Sequence, residues 1–144
     1  MYWIGVWTVP VKTGGRKQEA ILKPATAADM PDNWTFSWRE FWSQTNFEYQ
    51  KIIKLSLQGQ VLGLIRYAVY SDDEETSGGG VPYLLEVLHL ECMPKSIRLA
   101  EPVGRWLLWY AAKTGLKFCT PKENDPLISL DSVEDAIPYY SNPK

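Results

Sequence analysis

The stretch Tyr83 to Met93, YLLEVLHLECM, is apolar almost from end to end. A strand with one wet face alternates apolar and polar residues, whereas a run like this one suits a central strand covered on both sides. Pro94 stops it. Downstream, Pro102 suits the first position of a helix, because the N–H it lacks would have had no intrahelical acceptor, and Gly115 is placed to end that helix. Between them Val103, Trp106, Leu107, Tyr110 and Ala111 form a stripe to bury, while Arg105 and Lys113 face water. A further strand, Leu127 to Leu130, runs into Asp131 and Ser132, which offer caps to a closing helix from Val133 to Tyr140.

Upstream of the central strand, SDDEETSGGG is acidic, Ser-rich and finished by three glycines, and reads as a solvated loop. Before it lies a hairpin. Ile53, Leu55 and Leu57 alternate with Lys54, Ser56 and Gln58, and after Gly59 the apolar stretch VLGLIRYAVY returns. Trp34, Trp38, Phe41 and Trp42 recur at helical spacing, which puts four rings along one buried stripe; Thr26, Asp29 and Asp32 offer capping oxygens ahead of it. Glu19 to Lys23 is a short strand, and residues 1 to 18 form an N-terminal extension with strand character up to Pro10 and a loop at Gly14 and Gly15. The resulting order predicts an α/β fold, a mixed central β-sheet with helices on both faces.

The chain has 144 residues, the size of one domain, and its 45% apolar and 22% charged residues suit a packed core. Fifteen Lys and Arg against seventeen Asp and Glu leave a net charge of -2, too balanced for a protein that finds nucleic acid or an anionic membrane by its overall field. The longest apolar run, Val61 to Tyr70, is interrupted by Arg66 and is too short to span a bilayer. MYWIGVWTVP has no basic leader and VKTGGRK is no cleavage site, so the cytoplasm is the expected compartment. Cys92 and Cys119 lie far apart and His89 is the only histidine, which argues against both a disulfide scaffold and a structural zinc set.

Four segments carry a resemblance. The first is Ala20 to Asp32, AILKPATAADMPD, a strand and the approach to a helix. The second is the hairpin Ile52 to Ile65, with Gly59 in its turn and Gly63 early in the return strand. The third is Leu88 to Leu108, with Leu90, Cys92 and Pro94 followed by Gly104, Leu107 and Leu108; the fourth is Ile128 to Tyr140, ISLDSVEDAIPYY. In this order and at these spacings they resemble the GNAT family of acyl-CoA-dependent N-acyltransferases. The resemblance covers about residues 19 to 140, so the expected layout is an N-terminal extension, 1 to 18, that adds a strand, and a GNAT-like acyl-CoA-binding domain, 19 to 144.

That resemblance implies acetyl-CoA or another acyl-CoA as co-substrate and an amine as acceptor. Its pantetheine amides would pair with Leu90 to Cys92, and its pyrophosphate would lie over the helix start at Val103, Gly104 and Arg105, with Arg98 nearby, where N–H groups and the helix dipole favour an anion. Acyl transfer to an amine needs a base for the attacking nitrogen and an acid for the departing thiolate. The resemblance puts Tyr140 in the acid's place and makes Glu86, ahead of His89 and Glu91, the base. No metal is implied.

The chain departs from the family pattern at two places. Pro102 stands at a glycine position of the cofactor loop and Leu99 at its basic position, and Ser141 to Lys144 end the sequence ahead of the last two family strands. An apolar sheet edge there needs a cover, and either Met1 to Pro10 or a second copy of the chain in a homodimer is expected to supply it. Two functions follow: an N-acyltransferase that works by direct attack in a ternary complex, or a GNAT-like fold kept as a binding or assembly module without turnover.

Overall fold

The computed structural model describes residues 2–71, 80–94, 100–121 and 126–129. Six strands form one sheet in chain order: β1 (Trp7–Thr13), β2 (Arg16–Pro24), β3 (Gln50–Leu57), β4 (Gln60–Ser71), β5 (Pro82–Cys92) and β6 (Ile128–Ser129). The first five run antiparallel to their neighbours, while β6 is parallel to β5, with Leu85 opposite Ile128 and Glu86 opposite Ser129. Helix α1 (Trp38–Gln44) lies between β2 and β3, and α2 (Gly104–Phe118) carries the chain from β5 to β6. The molecule is therefore a mixed α/β protein whose central apolar run is a strand beside the strand that follows Leu127.

Both tight hairpins turn on a pair of residues with positive φ, Gly14 and Gly15 between β1 and β2 and Gln58 and Gly59 between β3 and β4. This is the type I′ pattern, whose twist matches that of paired strands. Helix α2 seats Val103, Leu107, Tyr110 and Ala111 in a buried cluster with Leu55, Ile65, Tyr67, Leu85 and Val87. It lies so close to β4 that a Cβ on Gly63 would stand 2.5 Å from Val103 Cγ1 and 2.8 Å from Leu107 Cδ1. Only glycine fits there. A second cluster joins Met30 and Trp38 to Ile52 and Leu64, the neighbours of Ile53 and Ile65 on their strands.

Four details differ from the sequence expectation. The aromatic stripe from Trp34 becomes helical only at Trp38, because the Glu91 carboxylate accepts the N–H groups of Thr35 (2.6 Å) and Phe36 (3.0 Å) and so fixes the preceding segment outside a helix. Pro102 precedes α2 instead of opening it, since the helix begins at Gly104. Gly115 lies inside α2, where an added Cβ would come within 3.3 Å of Ile128, so its small size lets the helix approach β6. Finally, β1 pairs with β2 at the edge of the sheet opposite β6 and so does not cover the β6 edge. The closing helix expected from Val133 to Tyr140 lies outside the described residues, as does most of the acidic loop between β4 and β5.

Residues 2–6 lie against α2 and β4. The buried Tyr67 hydroxyl donates to the Tyr2 carbonyl at 2.5 Å, and the buried Tyr110 hydroxyl donates to the Gly5 carbonyl at 2.7 Å while accepting from Ile4 N–H at 3.2 Å. Farther along, Lys12 and Glu101 exchange backbone hydrogen bonds of 2.7 and 3.0 Å, and the Trp106 indole donates to the Pro10 carbonyl at 2.9 Å. The first strand is thereby tied to the segment that leads into α2. Among the described residues no helix is long and apolar enough to cross a membrane.

Deleting residues 1–5 removes the carbonyls to which both phenols donate, and an orphaned buried donor costs about 1–3 kcal/mol. The expected result is a clear loss of stability in urea unfolding, and a much smaller loss when the same deletion is made in a Tyr67→Phe, Tyr110→Phe background. Equal losses in the two backgrounds would show that these hydrogen bonds contribute nothing.

Candidate functional site

Strand β5 does not alternate regularly. Arg66 of β4 stands opposite His89 and the next residue, Tyr67, stands opposite Val87, so Leu88 is an extra residue in β5. An inserted residue changes which side chains share a face. Leu85, Val87 and Leu90 all join the buried cluster under α2, while Glu86, His89 and Glu91 find partners elsewhere. Without the bulge, alternation would set Glu86 against His89 and Glu91 on opposite faces.

The three polar residues have distinct surroundings. Glu91 accepts the indole N–H of Trp38 at 2.9 Å in addition to the two backbone groups ahead of α1, and its role is to anchor that segment. Glu86 accepts a hydrogen bond from the Tyr70 hydroxyl at 2.7 Å. Burial, reinforced by the Glu86 carboxylate, pushes the Tyr70 phenol up to about 12, so it keeps its proton and remains the donor. His89 stacks on Phe41 with 3.8 Å between ring centroids and lies edge-on to Phe36. Its pKa is lowered to about 4, by burial first and then by the Arg66 charge.

Arg66 is the centre of this face. It is only 7% exposed, and burial disfavours its charged form, lowering its pKa. Its Nε donates to Thr45 Oγ1 at 3.0 Å and its Nη2 to Gln50 Oε1 at 3.3 Å, while Nη1 lies 3.4 Å from His89 Nδ1. A guanidinium has no acceptor, so Nδ1 accepts this bond and the ring proton of neutral His89 sits on Nε2. The Phe41 ring completes the setting, its centroid 5.4 Å from the guanidinium carbon.

The residues expected to hold a cofactor lie farther along β5. Leu90 is buried opposite Ile65, and Cys92, half-buried, stands opposite Gly63. Because Gly63 packs against Val103, the strand end at Cys92 and the helix start at Val103, Gly104 and Arg105 meet across β4. Val103 and Gly104 are buried and Arg105 is half-buried. Glu86 is six residues from Cys92, roughly 20 Å along an extended strand. Arg98 and Tyr140 lie outside the described residues. Among those described, no three His, Cys, Asp or Glu side chains are grouped to hold a metal ion.

Sequence reasoning passed over Arg66, Tyr70, Gln50, Thr45 and the His89–Phe41 stack. One signal was present, a single charge inside VLGLIRYAVY. No protein-family model matches the chain, and no curated protein and no solved structure matches it either.

The His89 geometry has a measurable consequence. With a folded pKa near 4 against an ordinary 6.5, the native state binds fewer protons than the unfolded chain between those values. The associated stability is complete above pH 6.5 and is lost as pH falls toward 4. NMR titration of the ring is expected to give a midpoint near 4, moved upward by Arg66→Met, and His89→Gln should flatten the stability profile across this window. A midpoint near 6.5 would place the ring in water.

Proposed function

We propose that the chain is an acyl-CoA-dependent N-acyltransferase of GNAT-like fold, with helices on both faces of the sheet. The observation that carries this reading is the β5–α2–β6 unit: two parallel strands joined by a helix whose first turn packs beside the carboxyl end of β5. In sheets with parallel strands, ligands bind outside the carboxyl ends where the connection leaves the strand, and the helix N-terminus favours a phosphate group. An acyl-CoA laid along Leu90 to Cys92 would bring its pyrophosphate to Val103, Gly104 and Arg105, with Arg98 supplying a further cation. Its thioester would reach back toward the bulge at Leu88 and the Glu86–Tyr70 pair.

In this proposal an acceptor amine gives its proton to Glu86 as its nitrogen attacks the thioester carbonyl. The new C–N bond forms, the C–S bond breaks, and the coenzyme A thiolate takes a proton from Tyr140. Tyr70 holds the Glu86 carboxylate in place through the 2.7 Å hydrogen bond. The cytoplasm, where acyl-CoA is abundant, is the compartment this chemistry implies. A homodimer covering the β6 edge would complete the assembly.

A second reading, a fold kept as a binding or assembly module, draws on the segment before α2. Pro102 lacks an N–H, and Glu101 is already bonded to Lys12 of β1, so the approach to the helix start is partly committed to the protein's own backbone.

Thermal-shift titration separates the two. Coenzyme A and acetyl-CoA are expected to raise the melting temperature with concentration, and Arg105→Glu to weaken this response by at least about tenfold while Lys113→Glu leaves it intact. Absence of any shift at about 1 mM ligand would favour the module. For the enzyme, thiol release from acetyl-CoA with a panel of primary amines should fall about 10²–10⁴-fold in Glu86→Gln, with cofactor affinity retained. Unchanged turnover in that variant would remove Glu86 from the chemistry.

A further inference from the structure

The geometry points to a binding site for a small carboxylate at Arg66, built by Thr45, Gln50, His89 and Phe41. A guanidinium taken out of water is costly unless an opposite charge accompanies it. Here every hydrogen-bond partner among the described residues is neutral: a hydroxyl, an amide oxygen and the Nδ1 of an uncharged imidazole. The ion pairs among those residues are Arg39 with Asp32 and Lys54 with Asp29, and neither includes Arg66. Among the described residues no carboxylate pairs with this buried positive charge.

The donor count says what would complete it. Arg carries five N–H groups in a planar fork. Three are directed at Thr45, His89 and Gln50, which, among the described residues, leaves one on each terminal nitrogen. Two N–H groups on adjacent nitrogens match the two oxygens of a carboxylate. A single positive charge beside a neutral histidine balances one negative charge, which favours a monoanionic carboxylate over a dianionic phosphate. Arg66 itself is 7% exposed, and around it Thr45, Gln50, Tyr70 and His89 are half-buried and Tyr49 is exposed, so the cation lies close beneath the surface. The Phe41 ring beside the guanidinium, the Phe36 ring behind it and the Tyr49 and Tyr70 phenols close enough to influence the Arg66 charge suit a ligand whose carboxylate is joined to an apolar or aromatic body.

This assignment stands apart from the acyl-CoA reading, because it rests on β3, β4 and the bulge of β5 and not on the α2 start. If both hold, the amine acceptor carries a carboxylate. Benzoate and its uncharged analogue benzamide are suitable probes, with inorganic phosphate and chloride at matched ionic strength as controls. Benzoate is expected to raise the melting temperature with concentration and to shift the His89 ring resonances, with benzamide, phosphate and chloride leaving both unchanged. Arg66→Lys keeps the charge but loses the fork, and should weaken the benzoate response by at least about tenfold. Arg66→Met is expected to melt no lower than the parent protein without ligand, because it removes a buried charge and its former partners each retain some contact with water. Equal responses to benzoate and benzamide, a response to phosphate or chloride, no response at about 50 mM benzoate, or a large loss of stability in Arg66→Met would each overturn the assignment. Failure of coenzyme A to bind would not touch it, and loss of the benzoate response would leave the acyl-CoA reading standing.

Discussion

The extra residue at Leu88 is the constraint on which both sides of the sheet depend. Strand β5 must bury Leu85, Val87 and Leu90 under α2 and also present Glu86, His89 and Glu91 to other partners. Strict alternation serves one of these demands at a time, because residues of like parity share a face. In a regular strand Glu91 would point into the apolar cluster, away from Thr35, Phe36 and Trp38, and His89 would have no access to Arg66. One irregular position in the ladder with β4 resolves the conflict, and the anchoring of α1 follows from it.

The other side of the sheet is governed by proximity. Gly63 and Gly115 both mark places where a side chain would intrude, one between β4 and the start of α2 and the other between α2 and Ile128. A glycine inside a helix costs about 1 kcal/mol relative to alanine, and the burial it permits offsets that cost. Between these two contacts the helix is held against β4, β5 and β6 together. The phenols of Tyr67 and Tyr110, buried beneath it, find their acceptors in residues 2–6, so the beginning of the chain completes the hydrogen bonding of its interior.

Much of this architecture was legible in the residues. The alternation of Ile53, Leu55 and Leu57, the turn at Gly59 and the unbroken apolar run from Tyr83 identified the hairpin and the central strand. The strand following Leu127 took its expected place beside β5. The bulge was not legible, since YLLEVLHLECM contains neither glycine nor proline to mark it, and its cause lies in partners more than fifty residues away in sequence. For the same reason Trp34 carried a helical period without entering the helix. Arg66 could be noticed as a charge in an apolar stretch, but Thr45, Gln50 and His89 meet it only once three strands are assembled. Glu86, named from sequence, proved to have a phenol partner that no spacing rule could supply.

The hydrogen bonds that the Tyr110 hydroxyl accepts from Ile4 N–H and donates to the Gly5 carbonyl span 106 and 105 residues. During synthesis residues 2–6 are made early, yet the phenol that bonds Ile4 and Gly5 is added only after five strands have been translated. Loop closure over such a distance comes late, once local hairpins have already formed. Ile4 and Gly5 are therefore made well before their partner, and this part of the nascent chain stays in solution until α2 arrives.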